Sequence, residues 1–159
     1  VRIIVNYIDS AVIPVEQTVD FSGATRPSGG SIGIAAGAFE RGDVAIQEVT
    51  TVHTGANSIK IAGPGYHDFI IPVDATSTVI SAYMRYDSSY TGSLPTMQVL
   101  NGTECGVASA TVAQVGAVNT WELVQLTIVP TAQGIVTVRF TNRSSASAGA
   151  VFVDSLAIT

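Results

Sequence analysis

The chain has 159 residues, 12% of them charged and 47% apolar, with a formal net charge of −5. That length suits one domain with a core of its own, and the few, scattered Lys and Arg residues argue against a nucleic-acid partner, which needs phosphate-neutralising charge. No run approaches the ~20 apolar residues of a spanning helix, which argues against membrane insertion.

Val, Ile and Thr recur throughout while Gly and Pro interrupt every short apolar run, so an all-β protein is expected. Residues 1–8 read as a strand, and 15–21 alternate apolar with polar as a half-buried strand does. The stretch Ser22-Gly23-Ala24-Thr25-Arg26-Pro27-Ser28-Gly29-Gly30 is rich in ladder-breaking residues. Residues 1–36 are therefore expected to form an N-terminal extended arm with a Gly-rich loop, and 37–159 the body of the domain. With neither an initiator Met nor a leader-like segment at Val1, a processed or excised chain is expected.

In the body, strands are expected at 44–52, 58–62, 68–73, 78–86, 96–100, 107–114, 122–129, 135–141 and 150–158. Turn signals such as Gly63-Pro64-Gly65, Tyr90-Thr91-Gly92 and Ala132-Gln133-Gly134 separate them. Many short strands without a helix imply a sandwich or barrel, and no segment repeats another. Alternation puts Val136, Val138 and Phe140 in the core, and likewise Val124, Leu126 and Ile128. In 78–86 the row Ile80, Ala82, Met84, Tyr86 and the row Val79, Ser81, Tyr83, Arg85 are both open readings. The single Cys105 fits a small buried apolar residue.

Catalytic signatures are absent. His53 and His67 fall near turns and outside any motif, and no Gly-x-Ser-x-Gly elbow occurs. Asp68, Asp74, Asp87 and Glu104 read as solvated loop acids rather than a glycosidase pair. A non-enzymatic protein is expected. The tripeptides Asn101-Gly102-Thr103 and Asn142-Arg143-Ser144 fit the glycosylation sequon.

Three fragments in order carry a likeness: Gly37-Ala38-Phe39-Glu40-Arg41-Gly42, then His53-Thr54-Gly55-Ala56-Asn57-Ser58-Ile59-Lys60-Ile61, and finally Val151-Phe152-Val153-Asp154-Ser155-Leu156-Ala157-Ile158. With 78–86 and the tryptophan-started segment Asn119-Thr120-Trp121-Glu122 between them, they resemble the galactose-binding-like jelly-roll carbohydrate-binding modules. The resemblance implies a jelly-roll β-sandwich of two antiparallel sheets, and a structural calcium held by Glu40 and Asp154, with carbonyls of Gly37 and Thr54 completing an oxygen cage. This sequence has Thr54 and Asn57 where some relatives offer another acid. The alternative is that Glu40 caps a turn and Asp154 accepts hydrogen bonds. Trp121 is expected to pack structurally, as in the family.

Sugar rings stack on aromatic faces while their hydroxyls bond polar side chains. Tyr83, Arg85, Gln98 and Arg139 could share one sheet face and bind a glycan, with Tyr66, Tyr86 and Tyr90 near loops. The same residue types also serve protein interfaces. Two functions are thus expected in competition. One is a structural module of a larger extracellular or virion assembly, such as a capsid decoration or fibre domain meeting neighbouring subunits, as the low surface charge suggests. The other is a glycan-binding module appended to a secreted glycoside hydrolase or adhesin. Either places the chain outside the cell, on a cell surface or on a virion.

Overall fold

The computed structural model describes residues 17–19 and 39–42 as backbone and residues 45–159 with their side chains. The strands expected at 1–8 and the Gly-rich loop lie outside the described residues. Those described form strands and turns only: β1 (Gln17–Val19), β2 (Phe39–Gly42), β3 (Ala45–Glu48), β4 (Ser58–Ala62), β5 (Gly65–Val73), β6 (Thr78–Tyr86), β7 (Thr96–Val99), β8 (Ala110–Ala113), β9 (Glu122–Ile128), β10 (Gly134–Asn142) and β11 (Ala150–Ile158). They build two antiparallel sheets. One runs β3-β4-β11-β6-β9, with β1 also paired to β11, and the other runs β2-β5-β10-β7-β8. The all-β sandwich expected from the strand spacing is what forms.

Period-two alternation decides the faces. Ile80, Ala82 and Met84 of β6 and Val136, Val138 and Phe140 of β10 point into the space between the sheets and are buried. This settles the two rows of β6: the row holding Tyr83 and Arg85 faces outward. Phe69 and Phe140 meet edge-to-face at 5.8 Å in the middle of that core, an arrangement that aromatic quadrupoles favour. Val124 and Ile128 are buried and Leu126 packs on the core, while Leu123 on the opposite face is exposed. Cys105 is fully buried, as expected for a small apolar side chain.

Two expectations about polar residues are corrected. Asp68 is not a solvated loop acid, and His67 is not near a turn. Both lie on β5, which begins at Gly65 because that residue already pairs with Asn142 of β10; His67 therefore faces the core and Asp68 the outer side.

Asn142 closes one end of the sandwich. Its Nδ2 donates to the carbonyls of Ile61 (2.8 Å) and Gly149 (2.9 Å), and its Oδ1 accepts from the Ser144 N–H (2.8 Å). With both amide hydrogens engaged and the residue buried, this sequon asparagine is closed to modification in the folded state. Asn101, by contrast, is exposed. Replacing Asn142 by Ala takes a donor from two buried carbonyls, of which that of Gly149 keeps the Gly63 N–H at 2.9 Å, and takes the acceptor from the Ser144 N–H, so Asn142→Ala should lower unfolding stability by about 2–4 kcal/mol. Urea unfolding of the two proteins measures it.

Candidate functional site

One row of residues crosses the outer face of the second sheet. By register Thr111 of β8 stands beside Gln98 of β7, Gln98 beside Arg139 of β10, Arg139 beside Asp68 of β5, and Asp68 beside Arg41 of β2. Arg139 donates from Nε to Asp68 Oδ1 at 2.7 Å and from Nη2 to Oδ2 at 2.9 Å. Its guanidinium carbon lies 3.8 Å from the centroid of the Tyr66 ring, two residues before Asp68 on the same side of β5. Asp68 is 0% exposed while the Arg139 side chain keeps 26% of its surface. The fork-to-fork geometry fixes the guanidinium plane. Hydrogen bonding to Asp68 raises the Arg139 pKa further, against the lowering effect of burial, so the guanidinium stays charged. The donors not bound to Asp68 remain on a half-buried cation whose orientation is set.

The outer face of the first sheet is built differently. Tyr83 of β6 stacks on His53 with centroids 3.6 Å apart, and Trp121 meets the same imidazole edge-on at 5.6 Å. Tyr83 thus engages a ring face inside the molecule. Trp121 packs as expected, though on this outer face and only half-buried. Arg85 donates to Asn119 Oδ1 at 3.2 Å and lies 5.9 Å from the Phe152 ring, with Lys60 at 5.8 Å. Asn119 has φ of 61°, a left-handed conformation that Asn tolerates better than most residues. The expectation that Tyr83, Arg85, Gln98 and Arg139 share one face is therefore corrected. Tyr83 and Arg85 belong to one sheet, Gln98 and Arg139 to the other, and the core separates the pairs.

Asp154 lies at a β-bulge of β11, where pairing with β6 shifts register between Asp154 and Ala157. Its Oδ2 accepts the N–H groups of His53 (2.7 Å) and Thr54 (3.1 Å), and its Oδ1 accepts the Ser155 hydroxyl (3.1 Å). The extra residue of the bulge, Ser155, has φ of 52°, and its hydroxyl also meets that of Thr54 at 2.6 Å. At the other end of the loop, burial pushes the Glu48 carboxyl up. Hydrogen bonds from the Thr50 hydroxyl and the N–H groups of Thr50 and Thr51 outweigh this and hold it below its ordinary pKa. Residues 49–57 are thereby strapped over Tyr83.

No protein-family model and no curated protein matches the sequence. Solved structures do. A family 61 carbohydrate-binding module in complex with β-1,4-galactotriose is 12% identical at a TM-score of 0.55, over 77% of this chain and 87% of that one. A family 16 carbohydrate-binding module gives the same identity and TM-score over 73% and 85%. The CBM22-1 xylan-binding domain of Paenibacillus barcinonensis Xyn10C is 16% identical at 0.53, over 89% and 91%. The fold is that of carbohydrate-binding modules.

Among the expected calcium ligands of this carbohydrate-binding-module fold, Asp154 and Thr54 come together. Glu40 is on β2, in the opposite sheet, paired with Phe69; its side chain, and Gly37 altogether, lie outside the described residues. The groups around Asp154 are N–H and O–H donors, which solvate a carboxylate in the place a cation would take. The described residues contain no group of three or more His, Cys, Asp or Glu side chains able to hold a metal ion. They do not by themselves make the oxygen cage that Ca²⁺ requires.

Sequence reasoning missed the partners of Arg139. Beginning β5 at Asp68 left Tyr66 in a loop, whereas a strand from Gly65 puts Tyr66, Asp68, Ile70 and Pro72 on one face. Two tests follow from the Asp154 geometry. Asp154→Ala leaves two backbone N–H groups without their acceptor and should cost about 2–4 kcal/mol in chemical unfolding. A chelator tests the calcium expectation: a fall of several degrees in melting temperature on adding it would support the ion, since an ion bound only by the folded state stabilises it, and an unchanged melting temperature would remove it.

Proposed function

We propose that the protein is a non-catalytic glycan-binding module, and that its ligand lies across the outer face of the second sheet over Tyr66, Arg139 and Gln98. The carrying observation is the guanidinium of Arg139, fixed by buried Asp68 and laid on Tyr66. Sugar recognition requires an apolar ring beside hydrogen-bond donors held in place before the ligand arrives, because ordering long side chains on binding is costly. Asp68 has already ordered this one. Gln98 adds an amide that can both donate and accept, and Thr111, exposed at the end of the row, adds a hydroxyl.

The likeness to modules solved with galactotriose and described as xylan-binding supports a glycan as the ligand class. The ion pair accords with an uncharged chain, because the carboxylate of Asp68 offsets the charge of Arg139. A role outside the cell, attached to a larger secreted protein, accords with such a ligand. The competing reading, a structural module of an extracellular or virion assembly, draws on exposed apolar side chains such as Val49, Val115 and Val129.

Affinity electrophoresis in gels containing plant, bacterial or host polysaccharides tests the proposal. The native chain should be retarded by at least one neutral polysaccharide. Gln98→Ala, a half-buried surface change, should weaken retention several-fold, and Arg139→Ala at least about tenfold through loss of charged hydrogen bonds. Tyr83→Ala, on the opposite sheet, should leave retention unchanged in protein that still folds. A folded native chain that migrates identically in every gel would sink the reading.

A further inference from the structure

The four outer strands of the two sheets differ in how they are protected. β3, β2 and β8 have four residues each. β3 carries Glu48, whose side chain turns back onto its own loop, and β2 carries Glu40 and Arg41. β9 has seven residues, Glu122-Leu123-Val124-Gln125-Leu126-Thr127-Ile128, and pairs with β6 on one side. Its other edge has no partner strand among the described residues. The only charge, Glu122, sits at the strand's start with Oε2 bonded to the Gly116 N–H at 2.6 Å.

An edge strand presents a row of backbone donors and acceptors, and proteins blunt such rows with short length, Lys, Pro or bulges. β9 has none of these along its length; Pro130 comes only after the strand has ended. The flanking surface is apolar. Leu123 is 44% exposed and Val129 is 67% exposed, and half-buried Trp121 precedes the strand.

We infer that β9 is a self-association edge, on which a second copy of this chain adds its own β9 antiparallel to continue the first sheet across a two-fold axis. The sequence is self-complementary in the register centred on Gln125. Leu123 then faces Thr127 of the second copy, Val124 faces Leu126, and Glu122 faces Ile128, so no like charges meet, which is what cross-strand pairing requires. Continued by one residue, the register sets Val129 beside Trp121 of the second copy and covers one exposed and one half-buried apolar side chain on each copy. Isologous pairing of this kind closes after two copies. It leaves the outer face of the second sheet open, since β9 belongs to the first.

Sedimentation of the full chain over a wide concentration range tests this. The native chain should convert from monomer to dimer as concentration rises. Gln125→Lys places two ammonium groups together at the axis and should raise the dissociation constant at least about tenfold; Gln125→Glu should do the same. An equimolar mixture of the two variants should recover a heterodimer, because the opposite charges then meet. Gln125 is exposed, and thermal unfolding should confirm that both variants keep the native fold. A native chain that stays monomeric at millimolar concentration overturns the inference, as does a dimer indifferent to the Gln125 variants. Protection from hydrogen exchange of those β9 amides that point away from β6, at concentrations where the chain is monomeric, would also overturn it, because the edge would then be covered by the chain itself.

Discussion

The buried carboxylate of Asp154 ties the loop after β3 to the centre of the first sheet. It sits in a bulge at the middle of β11, a strand paired with β4, β6 and β1, and so occupies the centre of the first sheet. By accepting the N–H groups of His53 and Thr54 it fixes the loop after β3 against that centre. His53 can then lie on Tyr83 and Trp121 can pack on His53. A charge taken from water is tolerated only when strong donors replace the lost solvation, and here the backbone supplies two of them.

The second sheet solves a similar problem with a different partner. Asp68 is equally buried, yet a full opposite charge satisfies it. The consequence for function is large. A carboxylate bonded to backbone amides has nothing further to offer a ligand, whereas one bonded to a half-exposed guanidinium holds that guanidinium ready for another acceptor. The two outer faces thus separate into one that is strapped and one that is presented.

The sandwich itself was legible in the sequence because alternation and turn residues act locally: 58–62, 78–86 and 150–158 match β4, β6 and β11 residue for residue. The expected strand 44–52 shortens to β3 because Glu48 turns the chain there by bonding Thr50 and Thr51. Which sheet each strand joins was not legible. Alternation puts Arg139 away from the core and leaves Tyr83 open, and only long-range pairing says that the two face away from it in opposite directions. The same limit hid the Asp68–Arg139 pair, whose members are 71 positions apart in the chain and read separately as an ordinary acid and an ordinary base.

Strand β1 pairs Gln17 with Ile158 and Val19 with Leu156, so the chain enters β1 and leaves β11 at the same end of one short antiparallel ladder. A load drawn between those two points does not shear the ladder, with all its bonds resisting together. It opens the ladder as a zipper, one rung after another, beginning at Gln17 and Ile158. β1 would peel away first under tension, lengthening the tether while β4 and β6 still hold the rest of β11, so a pull on the module is absorbed before it reaches the face proposed to hold the glycan.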